Sequence, residues 1–94
     1  MMALRWAPGA VADLARLRSF LGDKNPAAAA RAAQRLREAA ALLRSQPELG
    51  HAVDGEVFRD LLAPFGGGAY VLRYRIDDDA VVIVRIWHGR EERR

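Results

Sequence analysis

Cysteine is absent from this chain, which excludes disulfides and thiolate metal sites and agrees with a reducing cytoplasm. No run approaches the roughly 20 apolar residues of a bilayer span, so a membrane-crossing helix is not expected. The first residues carry one arginine and no apolar stretch of the signal-peptide kind, so no secretory leader is expected either. Lysine is nearly missing: fourteen of the fifteen basic residues are arginine, Lys24 being the exception. Arginine is planar, always charged and bidentate toward carboxylate and phosphate, although genomic base composition also favours it. Aromatic residues are scarce at 7%, and alanine inflates the 51% apolar fraction, so the core must be thin and rest on Leu, Val and Ile. A net charge of +3, with six arginines against five acids in residues 73–94, describes a local basic patch. Duplex DNA binding as the main role is not expected on that balance.

What is present fits one domain spanning residues 1–94, with 91–94 read as a mobile tail. Ala3-Leu-Arg-Trp6 reads as a short strand, and Pro8 suits the first turn of a helix. Val11, Leu14, Leu17 or Arg18, and Leu21 recur at helical spacing, with Gly22 as the left-handed cap. Asn25-Pro26 restarts a helix, asparagine as N-cap and proline at the next position, running to about Ser45 before Pro47. Its buried stripe is Ala29, Ala32, Ala33, Leu36, Ala40 and Leu43. A three-residue link makes the pair an antiparallel helical hairpin. After the polar stretch His51–Glu56, a strand is expected at about Val57–Leu62, and Pro64–Gly68 turns the chain.

Two β-rich runs, Tyr70–Ile76 and Ala80–His88, flank three aspartates and read as an antiparallel hairpin. A three-residue loop, Asp77–Asp79, pairs Ile76 with Ala80, Tyr74 with Val82, Leu72 with Val84 and Tyr70 with Ile86. Alternation then makes one face apolar and gathers Arg73, Arg75, Arg85 and Trp87 on the other. The order β-α-α-β-β-β predicts an α+β fold, a helical hairpin packed on a small antiparallel sheet.

Gly66-Gly67-Gly68 lacks the strand–loop–helix context of a phosphate cradle and reads as a β-turn. The Asp77–Asp79 cluster offers hard-cation ligands from one loop only, and aspartate is common in turns, so no metal is expected. His51 falls in a loop, while His88 ends the last strand on the Tyr70/Leu72/Tyr74 face. Near Arg85, Arg90 and Arg93, His88 has the chemistry of a general acid–base in phosphodiester cleavage, or of a structural histidine. Asp13 reads as serving the early turns of its helix through the dipole. Trp6 reads as core; Trp87 stacks on a guanidinium or a base, or covers the sheet.

Trp6-x-Pro8-x-Ala10-x-x-Asp13-Leu14, Pro47-Glu-Leu-Gly50, Val57-Phe-Arg59, Tyr70-Val-Leu-Arg-Tyr-Arg75 and Val82-x-Val84-x-Ile86-x-His88-x-Arg90 together resemble the RelE/ParE superfamily of type II toxin–antitoxin toxins. The similarity spans essentially the whole chain. It implies a cytoplasmic, growth-inhibiting toxin without cofactor, neutralised by a short acidic antitoxin, ParD-like, in a hetero-oligomer. ParE-like members poison DNA gyrase; RelE-like members cut mRNA on the ribosome with a cluster of basic residues. The lysine-rich strand surface of the nucleases is missing here, and the long helical hairpin is ParE-like. Gyrase binding is therefore expected through Arg73, Arg75, Arg85, Trp87, His88, Arg90 and Arg93. Antitoxin binding is expected through Leu14, Leu17, Leu21, Leu36, Leu43 and Arg75. A nuclease would use Arg59, Arg73, Arg85 and His88, and an inactive relative that only binds antitoxin is a third reading.

Overall fold

The computed structural model describes residues 1–89, apart from the side chains at 22–24. Strand β1 (Ala3–Trp6) leads through Ala7 into helix α1 (Pro8–Lys24), and α2 (Pro26–Leu42) follows. Then come β2 (His51–Ala52), β3 (Arg59–Phe65), β4 (Gly68–Asp77) and β5 (Ala80–His88). The sheet order is β1-β5-β4-β3-β2. Because β1 pairs with β5 in parallel, the sheet is mixed and not antiparallel throughout. The helical hairpin supplies part of the long crossover that parallel pairing needs.

Several local expectations change. Helix α1 continues through Gly22, which is therefore not its cap. The extended Asn25 (φ −160°) ends α1 by donating its N–H to the Leu21 carbonyl at 2.7 Å. Its side-chain oxygen accepts from the Ala28 N–H at 3.1 Å and starts α2. One residue thus serves as the link between two 17-residue helices. Removing the cap with Asn25→Ala is expected to cost about 1 kcal/mol, a drop of roughly 4–8 °C in a thermal melt.

The face of α1 is also turned from the one expected. Ala10, Asp13 and Leu17 are buried while Val11 is 54% exposed, because Asp13 is drawn onto β5. On α2 the buried set is Ala32, Ala33, Leu36, Ala39 and Ala40, and Ala29 is only partly covered. Strand β3 begins two residues late and runs through Pro64. Proline is tolerated there because β2 borders only Arg59 and Asp60, leaving the remainder of β3 as a sheet edge. The chain turns at Gly66-Gly67, with Gly66 at φ 62°.

The terminal hairpin differs most. Its loop has two residues, Asp78 and Asp79, with Asp77 opposite Ala80 and Asp78 at φ 56°. Tyr74 pairs with Ile83, Arg73 with Arg85 and Tyr70 with His88, leaving Val84 as the extra residue of a β-bulge. The inward residues of β5 are consequently Val81, Ile83 and Ile86, not Val82, Val84 and Ile86. With Leu36, Leu43, Tyr70, Leu72 and Tyr74 they form the core, against which Trp6, Leu14 and Leu21 pack.

Candidate functional site

The sheet face away from the core is organised in rows across neighbouring strands. One row is Arg5–Val82–Arg75, from β1, β5 and β4. The next is Arg85–Arg73–Asp60–His51, and the third is Trp87–Val71–Leu62. Arg73, Arg75, Arg85 and Trp87 therefore do share a side, as the alternation predicts. The bulge is what keeps them there. Were Val84 paired in the ladder instead, Arg85 would stand opposite Leu72 and point into the core.

The middle row is electrostatically closed. Arg73 donates to both Asp60 oxygens, at 2.8 and 3.0 Å, and its guanidinium lies 5.1 Å from the centre of the Trp87 ring. That is cation–π range. The hydrogen bond to Asp60 pushes the Arg73 pKa up, against the opposing effect of burial. Arg85 donates to both Asp13 oxygens, at 2.7 and 3.2 Å, and the Ile86 N–H adds a bond of 2.8 Å to the same carboxylate. Asp13 is thus a tie between α1 and β5 and does not serve the first turn of its own helix. Burial alone would raise its pKa, but the Arg85 hydrogen bond, the Ile86 N–H and the charges of Arg85 and Arg16 together hold it below the usual range. Among the described residues Arg75 meets only Asp77, at 3.9 Å, and Arg5 is exposed.

Two expected members stand elsewhere. Arg59 lies in the row of Tyr74 and Ile83, facing the helices, where it donates to the Gly50 and Glu48 carbonyls at 2.7 and 3.3 Å. His88 is also on the helix side, edge-on to Tyr70 at 5.1 Å between ring centres. It borders an apolar groove of about 560 Å³ lined by Leu17, Phe20, Leu21, Phe65 and Tyr70, with Arg16 at its rim. Arg90 and Arg93 lie outside the described residues. Among the leucines, Leu36 and Leu43 are sealed inside the core and present no surface, a correction to their expected role in docking. Leu17 shows only its groove side, and Leu14 and Leu21 are partly covered. Among the described residues no three acidic, histidine or cysteine side chains converge to hold a metal ion, and no helix is long and apolar enough to cross a membrane.

Sequence reasoning missed Asp60, Leu62 and Arg5 as members of the outer face. Alternation from the true start of β3 would have placed Asp60 and Leu62 there. Tyr74 was missed as a joint: its buried hydroxyl donates to the Pro47 carbonyl (2.8 Å) and accepts from the Gly50 N–H (2.9 Å). Burial pushes this phenol's pKa up.

Two helices on a five-stranded mixed sheet is the architecture of type II toxin–antitoxin toxins. A chain of the chromosomal ParDE system from P. aeruginosa superimposes with a TM-score of 0.78 at 23% identity, over 94% of this chain and 96% of that one. A chain of the RelBE2 toxin–antitoxin complex from Mycobacterium tuberculosis gives 0.65 at 30% identity, over 93% and 96%. Toxin RelE1 of Caulobacter vibrioides is 42% identical over 81 residues, 86% of each chain. Toxin RelE3 of the same organism is 39% identical over 93 residues, 99% of this chain and all of the relative. A family model described as the ParE toxin of the type II toxin–antitoxin system, parDE, matches residues 4–93. The chain belongs to the ParE toxin family.

Proposed function

We propose that this toxin acts in the cytoplasm by binding and poisoning DNA gyrase, and that a short acidic antitoxin holds it in check. The observation that carries the reading is the separate employment of the four residues a nuclease would need. Arg59 holds backbone carbonyls on the helix side, Arg73 is engaged by Asp60, Arg85 by Asp13, and His88 packs on Tyr70. Phosphodiester cleavage asks for a proton-transfer group and cations converging on one phosphate; these groups point to different sides of the sheet. Target contact is assigned to Arg73, Arg75, Arg85 and Trp87, and to Arg90 and Arg93, which follow in the sequence.

For the antitoxin, the groove beside Leu17, Phe20, Leu21 and Tyr70 accepts an apolar helix ridge. Solved relatives occur in toxin–antitoxin complexes, which favours such a partner. The second reading, a ribosome-dependent mRNA endonuclease, is favoured by the RelE names of the Caulobacter relatives. Expression of the toxin alone separates the two. DNA breaks with intact transcripts are the expected result; transcripts cut at codon-dependent positions would overturn it. His88→Ala should leave growth inhibition within about threefold, whereas loss of a proton-transfer residue typically costs 10²–10⁴-fold.

A further inference from the structure

The rows of the outer face differ in kind from one end to the other. At the hairpin end, Arg5 and Arg75 flank Val82, two strand spacings or about 9.5 Å apart. At the other end lie Trp87, Val71 and Leu62, and Leu62 is 55% exposed despite being a large apolar side chain. Val71 and Arg75 are four residues apart on β4, which places the ends about 13 Å from each other. Between them the two ion pairs contribute little net charge.

We infer that this face is a two-part docking site for a protein segment that carries an apolar anchor about 13 Å from one or two carboxylates. The segment's anchor seats on Trp87 and Leu62, and its acids meet Arg5 and Arg75. Arg73 is a positioning residue: Asp60 fixes its guanidinium over the indole. Charge distribution argues for a protein over a nucleic acid. Among the described residues, a phosphate backbone tracked across the face would meet cations outside a close ion pair only at the hairpin end. There exposed Arg5 stands near an Arg75 loosely paired with Asp77 at 3.9 Å. A segment acidic at one end and apolar at the other matches both. Tryptophan and arginine are also the residue types on which protein-interface energy concentrates. This inference rests on the reading that the outer face meets the toxin's target, and it specifies the chemistry of the contacting segment.

The test uses the full chain carrying Trp6→Phe, so that Trp87 alone reports by fluorescence, recovered from its antitoxin complex and titrated with purified gyrase subunits or with single-stranded RNA. Gyrase is expected to shift the Trp87 emission in a saturable way. Leu62→Asp should weaken binding at least about tenfold at low and high salt alike. Arg5→Glu with Arg75→Glu should weaken it about tenfold at low salt, a difference that shrinks as salt rises. Asp60→Asn should alter the Trp87 emission before any partner is added, which a purely structural role elsewhere would not do. An emission change on RNA with a steep salt dependence overturns the proposal. So does a Leu62→Asp toxin with native melting that inhibits growth as the parent does. Loss of antitoxin capture by that same folded variant would assign the face to the antitoxin and likewise overturn it. If the parent chain ignores gyrase, the gyrase reading fails by itself. The face is then judged on growth: inhibition lost in both Leu62→Asp and Trp87→Ala upholds it, and inhibition kept overturns it.

Discussion

Gly50→Ala is expected to destabilise the protein by roughly 3–5 kcal/mol and to lower its melting temperature by about 15 °C or more. A Cβ at position 50 would stand 2.8 Å from both Cε1 and the hydroxyl oxygen of Tyr74, and 2.9 Å from the Asp60 carbonyl oxygen. Backbone cannot give way as the tip of a flexible side chain can. Tyr74 is the largest fully buried side chain, so its ring cannot retreat without opening the core. Displacing it also breaks the hydroxyl bonds to the Pro47 carbonyl and the Gly50 N–H. Each buried polar group left unmet costs about 1–3 kcal/mol. Tyr74→Phe should therefore cost about 2–3 kcal/mol by itself. The double variant should fall well short of the sum, since both changes act on one contact. Chemical denaturation of the four proteins measures this; a fully additive cycle would show that the glycine and the tyrosine act separately.

Asp13→Ala is the second large effect, about 2–3 kcal/mol, because one carboxylate satisfies both the Arg85 guanidinium and the Ile86 N–H. The Arg85 side chain is 59% exposed, so solvent takes up part of the lost ion pair. The greater share comes from the buried N–H of Ile86, which donates to the same carboxylate. Asp13→Asn keeps an acceptor for that N–H and should cost less. The folded pKa of Asp13 lies below its unfolded value. Its stabilisation is therefore complete at neutral pH and persists down to the ordinary carboxylate range. It is lost as pH falls further, through the folded value. The gap between parent and Asp13→Asn should accordingly narrow on acidification, read from urea midpoints at successive pH values. A gap that stays constant or widens would contradict the assigned role.

Much of the fold was legible because its signals are local. Asn25-Pro26 announces a helix start through capping chemistry that needs no distant partner, and α2 begins there. The register of β5 was not legible for an equally physical reason. Ala80-Val-Val-Ile-Val84 is apolar at every position, so either alternation satisfies a buried face, and nothing in the run marks Val84 as the extra residue. Asp13 was misread because its partners lie 72 and 73 positions away. Several residues of the pieces that carried the family resemblance prove to be joints. Asp13 ties to β5, and Pro47 and Gly50 are held by Tyr74, with Arg59 bracing the same turn. Such residues are fixed by the architecture whatever the toxin attacks. The family could therefore be read from the chain while the target could not: on the proposed reading, Leu62 and Trp87 answer to a surface outside the molecule.

The extra residue in β5 has a further effect on how helix and sheet are coupled. Helix α1 passes so close to the bulge that a Cβ on Gly9 would stand 3.2 Å from the Val84 carbonyl oxygen. A chain one residue shorter at that point would keep every cross-strand partner on both sides, because the pairs flanking Val84 are already in step. It would straighten the strand, however, and swing the Ile86 amide away from its carboxylate. The sheet would survive the deletion; the anchorage of the first helix would not.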